Sequence, residues 1–178
     1  MEEPYVYKIF SNERKEKRKR FRLLETGFSK NKIKDEAIFA YPIKYYSELD
    51  EEERSDSIGS MDENFAVLEM DEFTVSIGDT YRMDEAVIQV SKPGKIRKTE
   101  QKENFQTGWY FRVLEEGKIK SRTDLELLDR PYPEWTIAAC NEIMFVNKHD
   151  LRMADELCDC ELLSEQWRRI LRKRVRGF

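Results

Sequence analysis

Thr107-Gly108-Trp109-Tyr110-Phe111-Arg112-Val113-Leu114-Glu115-Glu116-Gly117 reads as a strand followed by a turn. Its aromatic and β-branched residues suit a pleated, half-buried surface, and Glu116-Gly117 supplies the turn. Similar short runs precede it: Tyr5 to Phe10, Ala37 to Tyr41, Phe65 to Leu68, Phe73 to Ile77 and Ala86 to Val90. Leu125 to Leu128 follows. Gly78-Asp79 and Asp84-Glu85 break the series where turns belong. Strands this short and this evenly spaced predict a closed or half-closed antiparallel barrel rather than βαβ units. One helix is expected to interrupt them, starting near Pro42 and running to about Glu53.

The hydrophobic period changes after Pro133. Ile137, Cys140 and Met144 fall at helical spacing, as do Leu151, Ala154 and Cys158, and then Leu163, Trp167, Ile170 and Leu171. Thr136, Asp150 and Ser164 stand where N-caps belong, their side-chain oxygens placed to take an orphan amide bond. The fold class is therefore mainly β with a helical appendage: a barrel domain over 1–130 and a three-helix unit over 134–178. Three short helices bury little area alone. They should pack on one another and on the barrel, or on a second chain, and a dimer is left open.

Bulk properties narrow the function classes. The 178 residues carry 39% hydrophobic, 38% charged and 12% aromatic side chains, enough for one core of bulky rings. Seven glycines and five prolines argue against a low-complexity chain. No apolar run reaches the ~20 residues of a membrane span. The Met-Glu-Glu-Pro start has no signal-peptide pattern, and three cysteines fit a reducing compartment, so a cytoplasmic location is expected. The net charge of −4 predicts no general affinity for nucleic acid. Basic runs at Arg14 to Arg20 and Arg168 to Arg176 could contact a phosphate backbone, but acidic stretches at Asp50 to Glu53 and Asp62 to Glu72 offset them.

Several motifs together resemble the MOSC family (the molybdenum cofactor sulfurase C-terminal domain) of the YiiM type. The Thr107 to Gly117 stretch is similar to its late barrel strand and turn. Glu63-Asn64-Phe65 resembles its Gly-Glu-Asn-Leu, with Asp62 in the glycine place. Ile77-Gly78-Asp79 and Ala86 through Pro93 are similar to the stretch ending in Ser-Gln-Pro. Ala37 through Pro42 resembles the segment after its His-Gly-Gly-x-Asp-Lys motif. Thr136 through Arg172 resembles its 3-alpha helical domain, Asn141-Glu142-Ile143-Met144 and Leu163-Ser164-Glu165-Gln166-Trp167 included. The matches run in family order over most of the chain beyond Asp35.

The resemblance implies a molybdenum cofactor and reduction of N-hydroxylated bases. It nominates Asp35, Glu63, Asn64, Lys92, Arg97, Thr107 and Arg112 as the cofactor-binding set, with no catalytic residue assigned. The departures cut against the chemistry. The family follows its Pro with Arg-x-Pro-Cys, whose cysteine is thought to ligate molybdenum; here Pro93 is followed by Gly94-Lys95-Ile96-Arg97, so Arg97 takes the cysteine's place. His-Gly-Gly becomes Asn31-Lys32-Ile33, with only Asp35 kept, and the segment before Thr107 is shortened. No metal ligand is assigned and no cofactor is expected in this chain.

Residue chemistry leaves three functions in competition. The first is the family's oxidoreductase activity. The second is a binding module for a small anionic or heterocyclic ligand. The third is nucleic-acid contact. Molybdenum prefers a soft thiolate, yet Cys140, Cys158 and Cys160 all lie in the helical tail and read as buried apolar positions or incidental ones. His149 is the only histidine, so no Ser-His-Asp or Cys-His arrangement with histidine support can be built. Glu63 and Asn64 offer a carboxylate beside an amide, suited to a heterocycle or to capping a turn. Lys92, Lys95, Arg97 and Lys98 could hold phosphate or sulfate, or form a solvated loop.

Overall fold

The computed structural model describes residues 2–11, 20–29, 33–46, 50, 52, 57–96 and 105–177. Among these residues ten strands come first: β1 (Tyr5–Ile9), β2 (Arg20–Leu23), β3 (Ile38–Pro42), β4 (Phe65–Leu68), β5 (Thr80–Met83), β6 (Ala86–Pro93), β7 (Trp109–Glu115), β8 (Gly117–Lys120), β9 (Thr123–Asp124) and β10 (Glu126–Asp129). Eight of them form one sheet in the order β10-β5-β6-β7-β3-β4-β1-β9, and β2 pairs with β8 beside it. Every pairing is antiparallel except β3 with β4, which run parallel. The outer strands β9 and β10 are separated by a single residue, Leu125, which is fully buried and donates its N–H to the carbonyl of Pro4. The chain itself thus joins the two sheet edges and nearly closes the barrel. This is the mainly antiparallel barrel the strand spacing predicts.

Inside, Phe65, Tyr81, Trp109 and Phe111 fill the barrel, with Phe111 touching each of the other three rings. All five residues of β3 are buried because both of its faces are covered. Ile38 and Ala40 face the barrel core, while Phe39 and Tyr41 join Tyr46 in a separate aromatic cluster.

Three helices follow: α1 (Ile137–Asn141), continued by a π-helical turn over Glu142–Val146, then α2 (Leu151–Cys158) and α3 (Glu165–Arg176). All three expected caps are in place. Thr136 accepts from the Ala139 amide, Asp150 from Met153 and Ser164 from Trp167. The helices share one hydrophobic core with the barrel, running from Val6 to Leu171. No helix among the described residues is long and apolar enough to cross a membrane.

Two expected elements differ. Pro42 does not open a helix: it is the buried last residue of β3, facing Val67 in the parallel register, where its missing N–H marks a strand end. A short 3-10 turn, Ile43–Tyr46, follows, and most of the residues expected to complete that helix lie outside the described ones. Phe73 to Ile77 is not a strand either. Its backbone turns at Asp71 to Thr74 and pairs with the entry to α1, Ile137 N to Val75 O and Ile77 N to Trp135 O, both 2.9 Å. Phe73 itself is 64% exposed.

Candidate functional site

Asp35, Lys92 and Arg112 meet at the junction between the barrel and the helices. Arg112, on β7, spreads its guanidinium over three elements. Nε donates to Asp35 Oδ1 at 2.9 Å, one terminal nitrogen to Gln89 Oε1 on β6 at 2.8 Å, and the other to the carbonyl of Leu162 at 2.8 Å. A planar, always-charged fork is the side chain that can serve all three at once. Lys92, at the end of β6, has only 4% of its side chain exposed. An ammonium so buried needs a counter-charge, and Glu36 provides it, with Gln166 Oε1 2.6 Å away and the Tyr110 ring 5.1 Å below. Ser91 completes the junction: its hydroxyl donates to the Asp35 carbonyl, and its own carbonyl accepts the Ser164 N–H at 2.8 Å. The charges of Lys92 and Arg112 are therefore already matched by Glu36 and Asp35.

Glu63 and Asn64 belong to a different set of bonds, around the aromatic cluster. Glu63, 2% exposed, accepts from the Tyr46 hydroxyl and from the amides of Gly59 and Met61, so it caps the turn that precedes β4. Asn64 ties three strands together. Its side-chain oxygen accepts from the Phe39 amide at 2.9 Å, its amide nitrogen donates to the Phe10 carbonyl, and its backbone bonds both residues.

Thr107 sits at the neck where the chain leaves β6 and re-enters at β7, and there Gly94 N donates to Gly108 O at 3.0 Å. Its hydroxyl accepts from Asn141 Nδ2 on α1 at 3.1 Å. Lys95 is exposed on the way out of this neck, while Arg97 and Lys98 lie outside the described residues, as do Asn31 and Lys32. Two buried polar atoms here have no partner among the described residues, Asn141 Oδ1 and Trp109 Nε1.

The same neck holds residues that sequence reasoning passed over. Glu72 is fully buried yet faces no cation in its bonds; Gly108 N donates to Oε1 at 3.0 Å and the Tyr45 hydroxyl to Oε2. Its carbonyl accepts the Ala138 N–H, so one residue links the neck, the 3-10 turn and α1. Burial holds the Glu72 carboxyl above the usual carboxylate range, against the opposing pull of the Tyr45 and Gly108 bonds. The folded protein then binds this proton more tightly than the unfolded chain does. Stability contributed here is present at low pH and declines as pH rises from the ordinary carboxylate value through the raised folded one. Glu72→Gln keeps an acceptor for Gly108 without the charge, so it should flatten that decline. Urea melts across the acid range check this, and a variant whose profile runs parallel to the wild type contradicts it.

The thiols are all elsewhere. Cys140, Cys158 and Cys160 are buried in the helical unit, and burial pushes the Cys140 and Cys160 thiols up. His149 is exposed in the α1–α2 connection. No group of three or more His, Cys, Asp or Glu among the described residues is arranged to hold a metal ion.

Comparison with known proteins matches these parts. Residues 135–178 match the family model described as YiiM-like, 3-alpha helix domain. Over 149 residues the chain is 34% identical to the uncharacterised protein YflK of Bacillus subtilis, covering 75% of this chain and 66% of YflK. It is 27% identical over 133 residues to a Gibberella moniliformis protein named "Reductase", covering 67% of this chain and 24% of that one. The chain thus spans just under two thirds of the bacterial relative and about a quarter of the fungal one. Among solved structures, YiiM from Geobacillus stearothermophilus superposes with a TM-score of 0.73 at 29% identity, over 80% of each chain.

Proposed function

Because this chain is a YiiM-type MOSC protein with a C-terminal 3-alpha domain, we propose that it is a binding module that keeps the family's barrel and not its metal chemistry. The observation that carries this reading is the placement of the thiols. A molybdenum cofactor supplies redox chemistry through a metal that prefers a thiolate, and each cysteine here is buried among the helices. Lys92 and Arg112, the cations of β6 and β7 at the junction with the helices, are already paired with carboxylates. On this reading the donor set does not fit the cofactor.

The ligand proposed instead is a small anion: sulfate, phosphate or a phosphorylated small molecule. The cations that would hold it are those that follow β6 in sequence, exposed Lys95 and then Arg97 and Lys98. A guanidinium in place of a thiolate repels a metal cation and attracts an oxyanion. Metal analysis of protein expressed in a host that makes the cofactor should find no molybdenum bound. Calorimetry with phosphate should show binding that Arg97→Ala weakens. Stoichiometric molybdenum defeats the proposal, and phosphate binding that ignores Arg97→Ala defeats its positive half.

The fungal relative's name favours a second reading, a working oxidoreductase. Cofactor-loaded protein reducing an N-hydroxylated base would establish it over the first.

A further inference from the structure

The six cations of α3 divide into two sets by what they touch. Arg168 donates to the carbonyl of Cys158 at 2.9 Å, and Arg174 to those of Ile143 and Met144, both at 2.8 Å. Arg172 pairs with Glu165 at 3.4 Å. Arg168 and Arg174 fasten the helix to its surroundings, and Arg172 is satisfied within it. Arg169, Lys173 and Arg176 are exposed, and none has a partner among the described residues. Their spacing of i, i+4 and i+7 puts them on one face.

Nothing internal accounts for that face. Like charges at helical spacing weaken the helix that carries them. The helix dipole rewards cations only in the last turn, which covers Lys173 and Arg176 but not Arg169. Six cations against one carboxylate leave α3 at +5 in a chain of net charge −4, so the remaining residues carry −9. The helix is thus locally positive in a chain that is acidic as a whole. At its edge Ile170 is 45% exposed. Val146, 53% exposed, follows Phe145, whose ring meets Trp167 of α3 edge-on.

Each class of occupant meets this surface differently. A second copy related by a two-fold axis would lay one cationic stripe on the other. A nucleic acid would find only three cations on this face and could not bury Ile170 against its phosphates. A protein offering carboxylates around an apolar side chain satisfies both the charge and the apolar edge. In the fungal relative the matched region is a quarter of the chain, so the unit there has further protein beside it.

We propose that the Arg169–Lys173–Arg176 face of α3, with Ile170 at its edge, is a docking surface for an acidic protein segment carrying carboxylates and an apolar residue on one helical face. Fluorescence anisotropy on the full chain tests it. The probe is a labelled helical peptide with glutamates at i, i+4 and i+7 and a leucine beside them. Binding should weaken with salt. It should fall about tenfold in the combined variant Arg169→Glu, Lys173→Glu, Arg176→Glu, and hold in the control Lys118→Glu, Lys120→Glu on the two-stranded sheet. If the reversal variant melts early, the glutamine series at the same positions replaces it and should give a smaller loss in the same direction. The proposal is overturned if wild type does not bind the peptide, or if the control loses as much as the reversal. A DNA duplex that binds the stripe more tightly than the peptide, or a dimer abolished by the reversal, also overturns it.

Discussion

Trp167→Ala is expected to lower the stability of the protein by ~3–5 kcal/mol, a large part of what a domain of ordinary stability has. The indole lies on the inner stripe of α3 with Leu171, just beyond the buried Leu163, and is 7% exposed. Phe145 meets it edge-on, with centroids 6.1 Å apart and planes at 89°. Met144, Leu171 and Trp167 belong to the core that continues into the barrel. Truncation would therefore open a cavity between α3 and the π-helical turn after α1. Short helices have few other apolar contacts to make up the loss, and the bonds from Arg174 to the same turn hold its backbone near the gap rather than letting it collapse inward. The midpoint of urea unfolding measures this. A midpoint that does not move would mean that Trp167 is not a main support of the helical unit.

How much of this was legible beforehand depends on how local the signal was. The caps at Thr136, Asp150 and Ser164 were readable because each acts on an amide three residues away. Strands β6 and β7 were readable as apolar runs closed by turn residues. Phe73 to Ile77 has the same composition and misled, since its backbone pairs with the entry to α1 some sixty residues later. Strands β2 and β8 are Arg-Phe-Arg-Leu and Gly-Lys-Ile-Lys. Their alternation was there to be found in Phe21, Leu23 and Ile119, but basic residues around so short a run hid it.

The candidate site was less legible still. Asp35 and Arg112 stand 77 residues apart, and Lys92 stands 56 from Glu36. Nothing near any of them signals that its charge is matched within the fold. Glu72 lay at the end of an acidic stretch that composition assigns to solvent, and only the folded chain buries it. The family resemblance located the neighbourhood of Lys92, Thr107 and Arg112. What those side chains bond to is a tertiary fact.

Gly108→Ala should cost about 3 to 4 kcal/mol, more than any glycine change made in open space. Gly108 adopts φ 62°, a left-handed conformation that a Cβ strains by ~1–2 kcal/mol on its own. The surroundings add to this. A Cβ placed there would lie 2.3 Å from the Ala40 carbonyl oxygen and 3.0 Å from the Phe39 ring. The oxygen is backbone in β3, paired with β7 through Ala40 and Trp109, so it can yield only by spreading the two strands. Movement at Gly108 also withdraws the N–H that Glu72 accepts, leaving a buried carboxyl with less support. Gly177 provides the control, since it too is left-handed, at φ 79°, but a Cβ there meets nothing within 4 Å. Gly177→Ala should lose only the backbone strain. If the two variants shift the thermal midpoint equally, the close approach of β3 to Gly108 adds nothing. If Gly108→Ala falls well below Gly177→Ala, the neck between Gly94 and Gly108 is held by that contact.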